Sequence, residues 1–348
     1  MKASFCKRIL QFKQAVGTSR GYLNEKPSWY ILLDHPTQNY RAMGEVSVIP
    51  GLSIDDLHSM GDQLNRICSA INQGVFEWGL VPDNYPAIRF GLEMAFIDYQ
   101  NQGSKILFHS SFTNGLEGIH TNGLIWMGSE EFMLQQVEEK LSLGFRCLKF
   151  KIGADNTDNE LLLIQSLRKR FSAQELEIRV DANGAFSYEK ALLVLDRLAK
   201  LEVHSIEQPI KSGQPVRMAA LCNRAAIAVA LDEELIGHHN YSEKDQILSL
   251  IKPHYLIIKP SLLGGFKHCK EWIELASANQ IGWWATSALE SNLGLNAIAQ
   301  WLTQHSPQLH QGLGLGNLYK QNIACPLVLR GEKLFYDPSH KWSYEFVY

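Results

Sequence analysis

Long apolar runs are missing from this chain of 348 residues; no stretch approaches the ~18–20 needed to cross a bilayer. Clusters of Lys and Arg are missing too. With 33 basic against 36 acidic residues the formal charge is −3, so no nucleic-acid partner is expected. Cysteine is sparse: Cys6, Cys68, Cys147, Cys222, Cys269 and Cys325 are scattered and no two form a Cys-x-x-Cys pair. That spacing argues against a disulfide framework or zinc ribbon and suits reduced thiols in a cytoplasmic protein. Polar low-complexity tracts and internal repeats are lacking. The opening Met1-Lys2-Ala3-Ser4-Phe5-Cys6-Lys7-Arg8 has basic side chains but no sustained apolar segment, so a secretory leader is not expected. What is present, 45% hydrophobic and 20% charged residues, is the composition of a globular protein large enough for a barrel and an accessory domain.

Residues 1–115 show no regular strand–helix alternation. Residues 9–12 and 28–33 read as strands around the polar loop Gly17-Thr18-Ser19-Arg20-Gly21, a hairpin with a longer connection. Residues 44–51 read as loop-rich, and helices are expected at 53–70 and 86–100. From about residue 119 short apolar strands alternate with amphipathic helices, the rhythm of a parallel sheet. Strands are expected at 123–126, 147–152, 177–181, 205–207, 228–232, 255–259 and 282–287, with a weaker one near 310–315. Ser129 and Ser187 are placed to cap helices over 130–143 and 188–200. The pattern predicts an α/β protein: a (β/α)7β-type TIM barrel over 116–320, an N-terminal α+β capping domain over 1–115, and a segment 321–348 returning to that domain.

Within the strand Leu148-Lys149-Phe150-Lys151-Ile152 the two-residue period puts both lysines on one face. An exposed edge strand tolerates that, whereas a buried sheet needs carboxylates or an anionic substrate opposite. In a parallel barrel the site lies at the C-terminal strand ends. The polar residues falling there are Lys149, Lys151, Asp181, Glu207, Asp232 and Lys259, with successive intervals from Lys151 onward of 30, 26, 25 and 27 residues. Three hard oxygen ligands on rigid strands suit Mg²⁺, with Mn²⁺ also accommodated. Such an ion stabilises a carboxylate becoming an enediolate, and flanking lysines can exchange a proton at the α-carbon. A like charge ~6 Å away at an effective dielectric of ~20 is worth roughly 3 kcal/mol, about two pKa units. Lys149 can therefore lower Lys151, against the opposing pull of the carboxylates. Glu233 and Glu234 compete with Asp232 for the third ligand position, and Asp232 is preferred because it ends the apolar run. Asn183 serves the turn or supports the site, and His120, His204 and His254 read as packing or surface residues.

Lys149-Phe150-Lys151, Val180-Asp181-Ala182-Asn183-Gly184, Ile206-Glu207-Gln208-Pro209, Leu231-Asp232-Glu233 and Ile258-Lys259-Pro260 together resemble the muconate-lactonizing subgroup of the enolase superfamily. A Lys base with Mg²⁺ is the established pattern there. Within the subgroup the Gly17–Gly21 loop, Ile119-His120-Thr121-Asn122-Gly123-Leu124-Ile125-Trp126-Met127-Gly128, Ser287-Ala288-Leu289-Glu290-Ser291 and Gly312-Leu313-Gly314-Leu315-Gly316 are similar to the o-succinylbenzoate synthase family of menaquinone synthesis. The resemblance implies that Asp181, Glu207 and Asp232 bind Mg²⁺. It implies that Lys151 removes the α-proton and then helps expel a hydroxyl in a syn dehydration. Lys259 would stabilise the enediolate from the other face, while Lys149 tunes Lys151 and helps hold the substrate carboxylate.

The implied substrate is a small dicarboxylate, 2-succinyl-6-hydroxy-2,4-cyclohexadiene-1-carboxylate. The implied substrate contacts are Arg179, Ser287, Thr18, Ser19 and Arg20, with segments 18–22 and 46–52 closing over the succinyl tail. Leu315 departs from the family's small polar residue at that position. The oligomeric state is left open. An N-acylamino acid racemase or dipeptide epimerase would use the same lysine pair, but the Asp-x-Asp of a dipeptide epimerase is missing near 287–293. A barrel that only binds ligand is a third reading, disfavoured by the complete set of carboxylates and lysines.

Overall fold

A long antiparallel hairpin opens the computed structural model, which describes residues 1–18, 21–153, 157–314 and 318–347. Strands β1 (Lys2–Thr18), β2 (Gly21–Asp34) and β3 (Arg41–Ser47) form a sheet in that order. The hairpin exceeds its apolar runs because pairing continues through polar positions, from Lys2 opposite Asp34 to Gln11 opposite Glu25. Residues 41–47 are strand where loop was expected from residue 44. Nearly every position of β3 is buried, so the alternation that marks a one-sided strand is erased. Helix α1 (Met60–Gln73) starts later than the expected 53. In the intervening turns Asp55 accepts the Ala87 amide at 3.1 Å, capping α2 (Pro86–Gln100), and Asp56 accepts the His58 amide and the Ser59 hydroxyl. Gly44 lets β3 lie directly on α2: a Cβ there would sit 1.8 Å from the Gly91 carbonyl oxygen.

After the short β4 (Ile119–His120) come β5 (Gly123–Ile125), α3 (Glu130–Ser142), β6 (Cys147–Lys151), α4 (Thr157–Arg170), β7 (Glu177–Asp181), α5 (Tyr188–Lys200) and β8 (Ser205–Glu207). They are followed by α6 (Pro215–Arg224), β9 (Ala228–Leu231), α7 (Tyr241–Ile251), β10 (Tyr255–Ile258), α8 (Pro260–Leu263), α9 (Gly265–Ala278), β11 (Gly282–Ala285) and α10 (Asn292–Leu302). The strands β5 to β11 make one parallel sheet in sequence order. Gln311 bridges to Thr121 and Gly312 to Thr286, both parallel. These two residues close the circle as a short eighth stave, completing a (β/α)7β barrel. Ser129 and Ser187 cap α3 and α5 by accepting the Phe132 and Lys190 amides, as expected.

Alternation sorts each stave. Leu148, Phe150, Ile178, Val180, Ile206, Leu231, Leu256 and Ile258 join the main core beneath the helices, while Lys149, Arg179, Asp181, Glu207, Ile257 and Trp284 face the barrel axis. A last hairpin, β12 (Leu327–Arg330) and β13 (Lys333–Tyr336), pairs with β4. Beyond it Trp342, Tyr344, Phe346 and Val347 pack on Tyr30, Leu32 and Met43, and Arg8 donates to the Phe346 and Val347 carbonyls. Among the described residues no helix is long and apolar enough to cross a membrane.

Candidate active site

Five adjacent staves end in the charged residues that spacing singled out. Lys149 and Lys151 lie on β6, Asp181 ends β7, Glu207 ends β8, Asp232 follows β9 and Lys259 follows β10. Ligand oxygens of Asp181, Glu207 and Asp232, all buried, fall within 4.8 Å of one another. Lys149 Nζ lies 2.6 Å from Glu207 Oε2 and 2.9 Å from Asp181 Oδ2. Lys151 Nζ donates to the same Asp181 oxygen at 2.6 Å and to Asn183 Oδ1 at 2.7 Å. From the far side Lys259 donates to Asp232 Oδ2 and lies 3.9 Å from Glu207 Oε1. The carboxylates thus sit between two lysines on one flank and one on the other.

Burial opposes charge on every member, and neighbours decide the outcome. Burial raises the Asp181 carboxyl, but Lys149 and Lys151 overcome it and hold the group well below the usual range. Burial and the Asp181 charge push Glu207 up to about 8, against Lys149. Burial also raises Asp232, against Lys259. For Lys149 burial acts downward, and Asp181 with Glu207 lift it above its ordinary value. Lys259 follows the same pattern, lifted by Asp232, Glu207 and Glu233. Three carboxylates thus face three lysines, and Glu207 Oε1 is buried without a hydrogen-bond partner. An all-oxygen donor set with an orphaned carboxylate oxygen fits a hard divalent cation.

Of the competing carboxylates Glu234 is engaged elsewhere, while Glu233 stays beside the cluster with its Oε2 buried and without a hydrogen-bond partner. Glu234 accepts from Gln208 Nε2 at 3.2 Å and from the Gly213 amide at 3.0 Å. Glu233 accepts from Asn183 Nδ2 at 2.9 Å. Asn183 thus bridges Lys151 and Glu233, and more than the turn depends on it. Gln208, for which its motif suggested no role, accepts the Asp232 amide at 3.1 Å and the Glu234 amide at 3.2 Å. Both residues have positive φ, 44° for Asn183 and 41° for Gln208. An amide residue just past an acidic strand end marked Asn183 as a turn or supporting residue, and the same placement of Gln208 after Glu207 was the signal that could have found it.

The expected substrate contacts are not all brought to this cluster. Arg179 shares the inward face of β7, but its guanidinium turns toward the start of the strand. There it donates to Glu177 Oε1 at 2.6 Å and to the His310 carbonyl at 2.9 Å, and lies 4.1 Å over the Trp284 ring. Ser287 donates to Glu290 Oε2 at 2.5 Å, an oxygen that also takes the Ala288 amide. Glu290, buried and unanticipated, also accepts from Ser261 Oγ at 2.5 Å. The Thr18 backbone pairs with Gly21; Ser19, Arg20 and the departing Leu315 lie outside the described residues. Leu23, Ile49 and Leu52 pack with Leu262, Ala288 and Leu289, bringing the N-terminal sheet and the segment after β3 onto the loops past β10 and β11.

Residues 133–334 match the family described as enolase C-terminal domain-like. An o-succinylbenzoate synthase from Desulfotalea psychrophila is 44% identical, over 95% of this chain and 98% of its own. The crystal structure of MenC from Desulfotalea psychrophila superposes with a TM-score of 0.84 at 41% identity, covering 96% of this chain and 99% of that one. A substrate-liganded L-Ala-D/L-Glu epimerase from Bacillus subtilis superposes at 0.83 with 17% identity, covering 99% and 97%. At that identity it shares the fold alone.

Proposed function

The chain belongs to the o-succinylbenzoate synthase family of the enolase superfamily, and on that premise we propose that it is a hydro-lyase. Its reaction is the dehydration of 2-succinyl-6-hydroxy-2,4-cyclohexadiene-1-carboxylate to 2-succinylbenzoate, a cytoplasmic step of menaquinone biosynthesis. The observation that supports this reading is the flanking of three clustered carboxylates by Lys151 on one side and Lys259 on the other. Asp181, Glu207 and Asp232 hold the metal, Mg²⁺ or in its place Mn²⁺. When bound, the ion supplies positive charge beside the substrate carboxylate as it takes on a second negative charge.

Lys151 does the proton work. Its Nζ takes the hydrogen from the ring carbon bearing the carboxylate, and the C–H electron pair moves into an enediolate. That pair then forms the third ring double bond as the neighbouring C–O bond breaks. Lys151 returns its proton to the departing hydroxide, so water leaves, the amine is regenerated and the ring becomes aromatic. One base serves both steps because proton and hydroxyl leave from the same face. Lys259, lifted above its ordinary value by Asp232, Glu207 and Glu233 against its burial, stays an ammonium and offsets the enediolate charge from the opposite flank. Asn183, accepting from Lys151 at 2.7 Å, aims the base.

An assay on the cyclohexadiene, followed by loss of its ultraviolet absorbance, is expected to show turnover with Mg²⁺ and none after chelation. Lys151→Ala should lower kcat by roughly 10²–10⁴-fold or more, with the circular dichroism of the folded chain unchanged. Solvent deuterium entering the α-carbon of an acylamino acid, with the cyclohexadiene left intact, would replace this reading by a racemase.

A further inference from the structure

A second convergence of ligand-type side chains lies at the opposite, N-terminal end of the barrel. His120 ends β4, Glu332 sits in the turn between β12 and β13, and His310 immediately precedes the eighth stave. His120 Nδ1 lies 3.2 Å from Glu332 Oε1, and His310 Nε2 lies 3.5 Å from Glu332 Oε2. Ligand atoms of all three residues fall within 4.8 Å of one another. A tetrahedral ion with bonds of ~2.0–2.1 Å to nitrogen and oxygen sets its ligand atoms about 3.3–3.4 Å apart, and each imidazole lies near that distance from one oxygen of the Glu332 carboxylate, His120 from Oε1 and His310 from Oε2. The imidazole rings meet at 82° with centroids 5.4 Å apart, so they are not stacked and can address a common point from different directions.

Two further observations point to a ligand. His310 Nε2 is buried and has no hydrogen-bond partner, although Glu332 stands near it. Glu332 is held in place from behind, its Oε2 accepting the Arg146 amide at 2.8 Å, the kind of outer support that orients metal-binding carboxylates. Burial outweighs the Glu332 and Glu177 charges and keeps His310 below its ordinary value, the direction that favours the neutral imidazole a metal binds. His310 also faces Cys147 and Glu177. Burial pushes the Cys147 thiol well above its ordinary value, and Glu177 is paired with Arg179, so Glu332 is the better partner.

We propose that His120, His310 and Glu332 form a second metal site, for a borderline divalent ion of the zinc class, with the fourth position open to water beside the half-exposed His120. Two nitrogens and one oxygen select such an ion, whereas the three carboxylates at the mouth select a hard one. Bound there, the ion staples the β12–β13 hairpin to β4 and to the stave that closes the barrel.

The test uses the full-length protein with the mouth site saturated by Mg²⁺ and Co²⁺ as the probe. One equivalent of Co²⁺ is expected to bind with the visible d–d bands of a tetrahedral ion and to be displaced by Zn²⁺. His120→Asn and Glu332→Gln should each abolish the bands and weaken binding by more than the roughly 10–100-fold that loss of a supporting residue costs. Both should leave turnover at the wild-type rate. Glu207→Gln, which removes a ligand at the mouth and with it turnover, should keep the bands, so the base site is judged apart from the catalytic reading. His120 is 48% exposed, so its replacement leaves the fold intact whatever Glu332→Gln does. Bands missing from the wild type, retained in His120→Asn, or lost in Glu207→Gln overturn the proposal.

Discussion

Glu207 ties the metal to the proton. Its carboxyl is raised from 4.5 to about 8 by burial and by Asp181, so between those values the folded chain holds a proton that the unfolded chain has released. Stability of the ion-free protein therefore falls as the pH rises through this window, while a cation that needs the ionised carboxylate competes with the proton. Asp55 and Glu93, each raised by burial to about 7, add a slope of the same sign that does not respond to the ion. The gain in melting temperature on adding Mg²⁺ should widen from about pH 5.5 to about pH 8. Calorimetry in buffers of different ionisation heat should find about one proton released per ion near pH 6.5 and almost none above about pH 9. A proton count that stays flat over that range would place the elevated carboxyl elsewhere. At this scale the acidic and basic residues were legible because each closes an apolar run. Asn183 was legible only as a turn or supporting residue, and Gln208 and Glu290 not at all, because their roles lie in bonds to Lys151, to the Asp232 turn and to Ser261, partners that no local pattern reports.

Among the elements, β3 was misread and matters most for how the two sheets are joined. Glu45 on β3 accepts the Ser291 amide and hydroxyl at 2.9 Å and 2.5 Å and the Gly294 amide at 3.0 Å. It thus sits at the N-terminus of α10, where the backbone offers unpaired N–H groups and a carboxylate is favoured. Behind it the wholly buried Lys26, pulled down to about 8 by burial against Glu45 and Glu290, donates to Ser28 at 3.1 Å and Ser47 at 2.7 Å. Glu45→Ala leaves several buried donors without an acceptor and is expected to cost roughly 2–3 kcal/mol in urea unfolding. A loss below about 0.5 kcal/mol would show that the cap contributes no more than an exposed contact. The cap lies 246 positions away along the chain, and burial on both faces removed the alternation that would have marked the strand.

Across the whole molecule the last residues lock the N-terminal sheet. Val347 is fully buried against Tyr30 and Leu32, with Trp342, Tyr344 and Phe346 packed around it. Deleting residues 341–348 should cost at least ~3 kcal/mol, since burying one large apolar side chain is worth ~1.5–3 kcal/mol. Differential scanning calorimetry would register this as a lower melting temperature, and an unshifted transition would mean the tail adds nothing to the fold. Sequence by itself determined the barrel, its stave order and the residues at the mouth, because a two-residue alternation and one charged residue per βα unit are local and additive signals. Only the tertiary structure decided which ammonium meets which carboxylate, that Arg179 turns toward the base, that Glu45 reaches α10 and that His120, His310 and Glu332 meet. Those pairings arise from closure of the barrel and the return of the chain end, which bring together groups that no short window of sequence contains.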